Sequence, residues 1–298
     1  MNTLRKLPEQ ARQNGYFIGG EWYAGVDRPR LERFSPGHGV KVSSVVLCSA
    51  LDVDAAVVAA RQAFEMGWAD VPGAQRGRIL IAAALGIRER RAELAYWETL
   101  ETGKPISQSL AEIEAAADHY EAAAGLARMV TGETHNGYGE GMLGLVTKQP
   151  IGVVALITPW NFPFVVLAER LPFILAAGCT VVLKPSEMTS TSSLMLADIL
   201  LDAGLPKGVY NVVTGLGPVV GEALSTHLDV DMISFTGSLT VGKGVLEKSR
   251  SNLKKLGWSL VGKTRRSFLR MRILTTQRTR SSLACALTLV SAVYPGPD

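Results

Sequence analysis

Two loops of this chain combine residue types that could bind or activate a small molecule. TPWNFP places Asn161 between an aromatic residue and a Phe-Pro pair, directly after an apolar run. A side-chain amide in such a dry position suits an oxyanion site. KPSE sets a cation, Lys184, and a carboxylate, Glu187, at the end of another apolar run. This pair could grip ribose hydroxyls, and a solvated helix N-cap is the alternative interpretation.

Two glycine-containing loops could receive a phosphate. VTGLGPVVG contains Gly215, Gly217 and Gly221, with the third glycine one residue later than in the dinucleotide pattern G-x-G-x-x-G. A tight strand-to-helix turn explains this spacing equally well. FTGS places Gly237 and Ser238 at the start of a helical pattern, where free N–H groups point at a ligand.

The elements around these loops predict an α/β fold. Four near-continuous apolar runs, GVVALI, TVVLKP, VYNVV and MISFTG, each precede a helical pattern. Such alternation is typical of a doubly wound parallel sheet with both faces covered. Ligands bind such sheets beyond the carboxyl ends of the strands, where all four loops lie.

The preceding part of the chain predicts helices and a pair of strands. Apolar residues at three- and four-residue steps indicate helices over 52–68, 74–104 and 109–130, the second ended by Gly103. GMLGLVTKQPIGVVALI indicates two strands joined through residues 148–152, a hairpin or long strand pair. Pro150 disfavours a central place in a sheet for that pair.

Composition excludes several protein classes. The 298 residues are 47% hydrophobic, with no apolar run long enough to span a bilayer and no secretion signal at the start. Three scattered cysteines predict neither a disulfide framework nor a metal site, so we expect a reducing compartment, the cytoplasm.

Charge is distributed unevenly along the chain. Residues 258–298 hold seven Lys/Arg and one acid, whereas residues 1–257 hold 24 Lys/Arg and 26 Asp/Glu. A basic tail on a mildly acidic body can indicate a nucleic-acid arm. The apolar run SSLACALTLVSAVY within the tail argues against that interpretation, which we keep as a minor alternative.

Seven segments together carry a family resemblance. In order they are YFIGGEW, SPGHG, LETGKP, GVVALITPWNFPF, AAGCTVVLKPSE, GLPKGVYNVVTGLGPVVG and DMISFTGSLTVGK. On these segments the chain resembles the NAD(P)-dependent aldehyde dehydrogenases over roughly residues 16–257. The resemblance implies the Rossmann-like cofactor domain of that family, without its catalytic domain.

The resemblance also implies roles for individual residues. Asn161 would be the oxyanion-hole amide, and Lys184 and Glu187 would hold the adenosine ribose. A carboxylate at Glu187 suits the free 2′-hydroxyl of NAD better than the 2′-phosphate of NADP. The other residues implied to line the cofactor site are Ile157, Thr158, Pro159, Trp160, Ser186, Gly217, Gly221, Phe235, Thr236, Gly237 and Ser238.

Two groups that the family reaction needs are missing from the sequence. The family uses a cysteine thiolate to attack the aldehyde and a glutamate to activate water. The glutamate belongs to L-E-L-G-G-K, but here WSLVGK places Ser259 at its position. No G-Q-x-C motif for the cysteine occurs, and Cys285 stands between apolar residues.

The genetic code offers an explanation for the changed composition. Codons allowed for WSLVGKTRRSF and its continuation, read one base early, encode L-E-L-G-G-K-N-P-Q-I-V. Further on they permit N-A-G-Q-C-C-V-S-G-S-R, with the cysteine codon straddling Ala292 and Val293. We therefore interpret the residues after Gly257 as an out-of-frame translation, caused by a frameshift or a sequence error.

These observations lead to one interpretation with two alternatives. We expect an NAD-binding domain over residues 1–257, with a β-hairpin oligomerisation element at about 138–157, and a tail over 258–298 that is not a domain. The chain would be an inactive part of an NAD-dependent oxidoreductase that oxidises aldehydes. When intact, that enzyme would be a dimer or tetramer. We expect it to bind no nucleic acid, membrane or metal. A non-catalytic nucleotide-binding or subunit-interaction protein is the first alternative, and a nucleic-acid-binding protein the second.

Overall fold

A seven-stranded sheet forms the centre of the computed structural model, which describes residues 7–261 and 287–295. Five of its strands run parallel to one another. In sheet order they are β12 (Lys255–Val261), β11 (Met232–Ser238), β8 (Val153–Ile157), β9 (Thr180–Lys184) and β10 (Tyr210–Val212). The predicted doubly wound α/β fold is confirmed.

Helices cover both faces of the sheet, and each face has its own apolar core. Alternate residues of β8 enter different cores, Val153 and Ala155 on one side and Val154 and Leu156 on the other. This alternation follows from the two-residue period of a strand. The helices are α1 (Ala50–Ala63), α2 (Gly73–Glu89), α3 (Arg91–Thr102), α4 (Ile106–Leu126), α5 (Pro163–Ala168), α6 (Leu171–Ala176), α7 (Thr191–Asp202), α8 (Glu222–Thr226) and α9 (Leu239–Ser249).

Three of the predicted helices are interrupted. The segment 52–68 forms most of α1 and then a π-helical turn over Phe64–Trp68, in which Gly67 has φ 118°. The segment 74–104 forms α2 and α3, which meet at Arg90, a residue outside helical geometry (φ −95°, ψ 12°). The apolar run after Pro163 forms α5 and α6, because Pro172 has no N–H and starts a new helix instead of continuing the first. Gly103 ends α3 in the left-handed region (φ 79°), as predicted.

The predicted hairpin over 138–157 is wrong. Strand β7 (Met142–Pro150) pairs with β6 (Glu133–His135) and β13 (Leu287–Pro295), in a separate antiparallel sheet. Strand β8 lies inside the main sheet, between β11 and β9. The expectation from Pro150, that this pair of strands avoids the centre of a sheet, is therefore wrong for β8. An apolar pattern predicts a strand but not its partner, and only β8 has the continuous burial of a strand covered on both faces.

The N-terminal strands extend the architecture beyond what the sequence predicted. Strands β2 (Tyr16–Ile18) and β3 (Glu21–Tyr23) add antiparallel to β10 at one edge of the main sheet. Strands β1 (Arg12–Asn14), β5 (Lys41–Val46) and β4 (Arg30–Phe34) form a second three-stranded sheet. No helix among the described residues is long and apolar enough to cross a membrane.

The boundary expected at Gly257 falls inside a strand. Strand β12 continues to Val261 and pairs with β11 along its whole length. Pairing of parallel strands uses main-chain groups, so an apolar run of any origin can complete the ladder. Of the expected tail, residues 262–286 and 296–298 lie outside the described residues, and residues 287–295 form β13.

Candidate functional site

The carboxyl ends of four parallel strands align three of the predicted site residues side by side. Ile157, the last residue of β8, is in register with Lys184 on β9 and with Phe235 on β11. Beyond Ile157 the chain stays close to β9, since the Thr158 N–H donates to the carbonyl of Lys184 at 3.2 Å. Thr236 on β11 is in register with Ser259 on β12. One edge of the sheet therefore collects residues that the sequence places up to 102 positions apart.

Lys184 and Glu187 form the charged centre of this edge. Lys184 is only 4% exposed, and its Nζ donates to the carbonyl of Pro185 at 3.1 Å and to Glu187 Oε2 at 3.2 Å. Burial lowers the pKa of Lys184, and the Glu187 carboxylate opposes that effect. Ser186, half-buried, accepts from the Met188 N–H and so shapes the same turn. The solvated N-cap considered as an alternative does not describe Lys184, because its ammonium is buried.

The loop between β8 and α5 carries Asn161. Pro159 is half-buried, whereas Trp160 and Asn161 are exposed. The dry position expected for the Asn161 amide is therefore wrong in this chain. The loop is fastened to the Lys184 turn by Thr189, whose Oγ1 donates to the carbonyl of Trp160 at 3.3 Å. Within the part of the chain that the structure describes, the buried Oγ1 of Thr158 has no hydrogen-bond partner. A buried polar atom without a partner is a place where a ligand can complete the hydrogen bonding.

The two glycine loops border the same edge. Residues 217–221 form a single π-helical turn before α8, and a Cβ at Gly221 would lie 3.9 Å from Cδ of Lys184. This turn is therefore beside the charged centre. Gly237 is half-buried near the end of β11, and Ser238 caps α9 by accepting from the Val241 N–H at 3.3 Å. Exposed N–H groups of the first turn of α9 thus lie at the same end of β11 as Thr236.

The polar groups of the described site have the chemistry that binds a dinucleotide. No group of three or more His, Cys, Asp or Glu side chains arranged to hold a metal ion occurs among residues 7–261. Lys184 and Glu187 together offer a donor and an acceptor for vicinal hydroxyls, and the capped start of α9 offers N–H donors for a phosphate. The unpartnered Thr158 hydroxyl adds a further polar contact between these two regions. These residues fit a nicotinamide dinucleotide, NAD or NADP.

One group beside the site was missed by the sequence reasoning. Lys104 in the turn between α3 and α4 lies with its Nζ 4.7 Å from the ring centroid of Phe162, the residue after Asn161. Its ammonium donates to the buried carboxylates of Glu98 and Glu112. The available sequence signal was a lysine in an interhelical turn, with one acid six residues before it and another eight residues after it. Contact with Phe162, 58 residues away, was not readable from the sequence.

Comparison with known proteins identifies what the chain is similar to. A model of the aldehyde dehydrogenase family matches residues 22–267. Aminoaldehyde dehydrogenase 2 of Zea mays is 39% identical over 264 residues, which make up 86% of this chain and 52% of that protein. The chain therefore spans about half the length of this curated relative.

Solved structures agree with the sequence match. An NAD-dependent aldehyde dehydrogenase of Sinorhizobium meliloti superposes with a TM-score of 0.82 at 45% identity, over 84% of this chain and 50% of that one. A point mutant of betaine aldehyde dehydrogenase from Staphylococcus aureus, solved with NAD⁺, gives a TM-score of 0.82 at 33% identity, over 86% and 52% of the two chains. Both alignments cover about half of the larger protein.

Proposed function

Because the chain belongs to the aldehyde dehydrogenase family, we propose that it is the cofactor-binding part of an NAD-dependent oxidoreductase that converts an aldehyde into a carboxylic acid. The observation that carries this proposal is the alignment of Ile157, Lys184 and Phe235 at one sheet edge, where the buried ammonium of Lys184 pairs with the half-buried carboxylate of Glu187. Such an edge is where open α/β sheets bind nucleotides. NAD, when bound, supplies the acceptor for the hydride of the substrate.

The residues of this chain would divide the work of binding. Lys184 and Glu187 would hold the adenosine ribose, and Thr158, Pro159 and Trp160 would line the cleft beside it. The remaining cofactor contacts would come from Ser186, Gly217, Gly221, Thr236, Gly237 and Ser238, which border the same edge.

We propose NAD rather than NADP as the cofactor. Glu187 Oε2 lies 3.2 Å from Lys184 Nζ, so the carboxylate and the ammonium face the same space. A carboxylate accepts a hydrogen bond from a free 2′-hydroxyl but repels a 2′-phosphate. An affinity for NADP equal to that for NAD would contradict this assignment.

The chain as it stands lacks the chemical groups of the family reaction, and we propose that it does not oxidise aldehydes. Asn161 would donate its amide to the oxyanion formed on the substrate, but oxyanion stabilisation needs a nucleophile to create the charge. Ser259 lies in register with Thr236 at the site edge, where the family has its glutamate. A serine hydroxyl near neutral pH does not take a proton from water as a carboxylate does.

Cofactor binding tests this proposal directly. Isothermal titration of the 298-residue chain with NAD is expected to show weak binding that falls at least about tenfold in the Lys184→Ala, Glu187→Ala double variant, because two hydrogen bonds involving charged groups are lost. A Lys207→Ala, Glu21→Ala double variant is the matched control, since it removes an exposed ion pair elsewhere. Equal NAD affinity in the Lys184/Glu187 variant and the parent would contradict the assignment.

The base sequence of the gene tests the frameshift proposal. We expect that one base added at or just before the codon for Gly257 restores L-E-L-G-G-K, with a glutamate at position 259. G-Q-C-C should follow, with its second cysteine within a residue of position 293. Together with the downstream frame, this gene should yield a protein that oxidises an aldehyde and reduces NAD, and replacing that cysteine by alanine should abolish the activity. A stop codon or an unrelated peptide in the shifted frame would refute the proposal.

An intact reading frame across this region would instead favour the non-catalytic nucleotide-binding or subunit-interaction protein. Nucleotide binding without turnover is then the expected outcome, and Ser259 is a native residue. The nucleic-acid alternative predicts a salt-dependent affinity for DNA that disappears when residues 258–298 are deleted.

We further propose that the antiparallel sheet of β13, β7 and β6 forms a contact between subunits of the intact enzyme. Met142 and Leu143 on β7 are both more than two-fifths exposed, and apolar side chains on an open sheet are typical of such contacts. A Leu143→Lys variant with the same apparent mass as the parent in light scattering would argue against this role. We also propose a cytoplasmic location, because three scattered cysteines indicate a reducing compartment.

A further inference from the structure

A buried cluster of charged side chains lies between α3 and α4, next to the loop that carries Asn161. Glu98 on α3 has a fully buried side chain, and the side chains of Lys104 and Glu112 are only 8% and 11% exposed. Lys104 Nζ donates to Glu98 Oε1 at 3.2 Å and also to Glu112, whose other oxygen accepts from Gln108 Nε2 at 2.8 Å. One ammonium thus serves two carboxylates.

The same ammonium faces an aromatic ring of the site loop. Lys104 Nζ is 4.7 Å from the centroid of Phe162, within the range of a cation–π contact. Phe162 is the N-cap residue of α5, and its carbonyl accepts from the Val166 N–H at 3.1 Å. Its position therefore fixes both the start of α5 and the residue before it, Asn161.

We propose that Lys104, held between Glu98 and Glu112, is a positioning residue for the Trp160–Phe162 loop. The proposal rests on the proposed function, because it gives the loop its purpose through the Asn161 amide. Lys104 contacts Phe162, the residue after Asn161. It acts through the ring of Phe162, and the two carboxylates determine how firmly the ammonium is held away from that ring.

The charge of the cluster changes near neutral pH. Burial raises the pKa of Glu98 to about 7, while the ammonium of Lys104 opposes the rise and the Glu112 carboxylate adds to it. The Glu98 Oε2 atom is buried without a partner among the described residues, so the cluster has no further group to stabilise the anion. Protonated Glu98 leaves Lys104 with one anionic partner and the ring, whereas ionised Glu98 attracts it away from the ring.

Other groups packed against α3 do not compete for Glu98. Glu101, one turn further along α3, accepts from Ser43 Oγ on β5 and from the N–H of Thr191 on α7. Lys104 and Glu112 are thus the charged groups that face Glu98 from the interhelical turn and from α4. A titration sensed by the loop is therefore assigned to this cluster.

Fluorine NMR of the full 298-residue chain labelled with 5-fluorotryptophan tests the inference. The resonance of Trp160, assigned by its loss in Trp160→Phe, is followed between about pH 5 and pH 8.5. We expect it to shift with a midpoint near that of Glu98, and to keep this shift in Lys104→Arg, which retains the charge. Glu98→Gln and, independently, Phe162→Leu should remove the shift. Glu93→Gln on the same helix, with an exposed side chain, is the matched control and should keep it.

A pH-independent Trp160 resonance in the parent overturns the proposal, as does a shift that persists in Glu98→Gln or in Phe162→Leu. Phe162→Leu leaves the buried charges intact, so it remains informative if the Glu98 variant does not fold. Measuring NAD binding in the same samples separates the two proposals. A pH-dependent Trp160 resonance without NAD binding refutes only the proposed function. NAD binding with a pH-independent Trp160 resonance refutes only the positioning role.

Discussion

Replacing Glu98 by glutamine should make the protein more stable at alkaline pH. Burial raises the pKa of this carboxyl from 4.5 to about 7, so the folded state holds a proton that the unfolded state has already released. Stability therefore falls as pH rises from about 4.5, and the loss is complete above about 7. At about 1.4 kcal/mol for each tenfold change in acidity, the loss is on the order of 3 kcal/mol.

Glutamine removes this loss because it is neutral at every pH and has nearly the shape of the protonated acid. We expect the free energies of unfolding of Glu98→Gln and the parent to be similar at about pH 5. At about pH 8 the variant should be more stable by up to about 3 kcal/mol. Urea unfolding followed by far-UV circular dichroism at several pH values gives both curves. The difference between them isolates Glu98, since burial raises the pKa of Glu101 as well.

Glu93→Gln, on the same helix, removes a carboxylate that is 46% exposed and 3.1 Å from Arg90. Such a surface pair contributes about 0.2–1 kcal/mol to stability. The free energy of unfolding of Glu93→Gln, plotted against pH, should therefore run parallel to that of the parent. Parallel curves for Glu98→Gln and the parent would refute the reasoning, as would a variant that loses stability relative to the parent as pH rises.

Two further outcomes follow from buried groups away from the site. Burial raises the pKa of the Cys48 and Cys179 thiols to about 11, so both should resist iodoacetamide at pH 8 until urea is added. Peptide mass spectrometry reads the modification, and labelling of either thiol in the native protein would contradict this prediction. Gly152→Ala should lower the free energy of unfolding by about 2–3 kcal/mol, because Gly152 has φ 124° and its new Cβ would lie 2.0 Å from Asp231 Oδ2. The control Gly204→Ala, where φ is 88° and the Cβ would enter open space, should lower it by about 1 kcal/mol. Equal losses for the two variants in urea unfolding would show that the steric contact is unimportant.

The sequence alone determined the fold class and the local chemistry of the site. Apolar runs alternating with helical patterns predicted the parallel sheet, because a strand covered on both faces must be apolar throughout. Lys184 and Glu187 are three residues apart directly after such a run, so their 3.2 Å contact is a local consequence of the turn. Gly103 likewise ends α3 where only a glycine takes the left-handed conformation readily.

The tertiary structure decided which elements meet. The pattern of β7 and β8 predicted two strands, yet β8 pairs with β9 and β11 instead of folding back on β7. The approach of Lys104 to Phe162 joins residues 58 positions apart, and nothing in either local sequence encodes it. Strand pairing and such contacts depend on the burial and hydrogen bonding of the whole chain, whereas periodicity and turn chemistry act over a few residues. For that reason the sequence predicted the parts of the site, and only the fold placed them together.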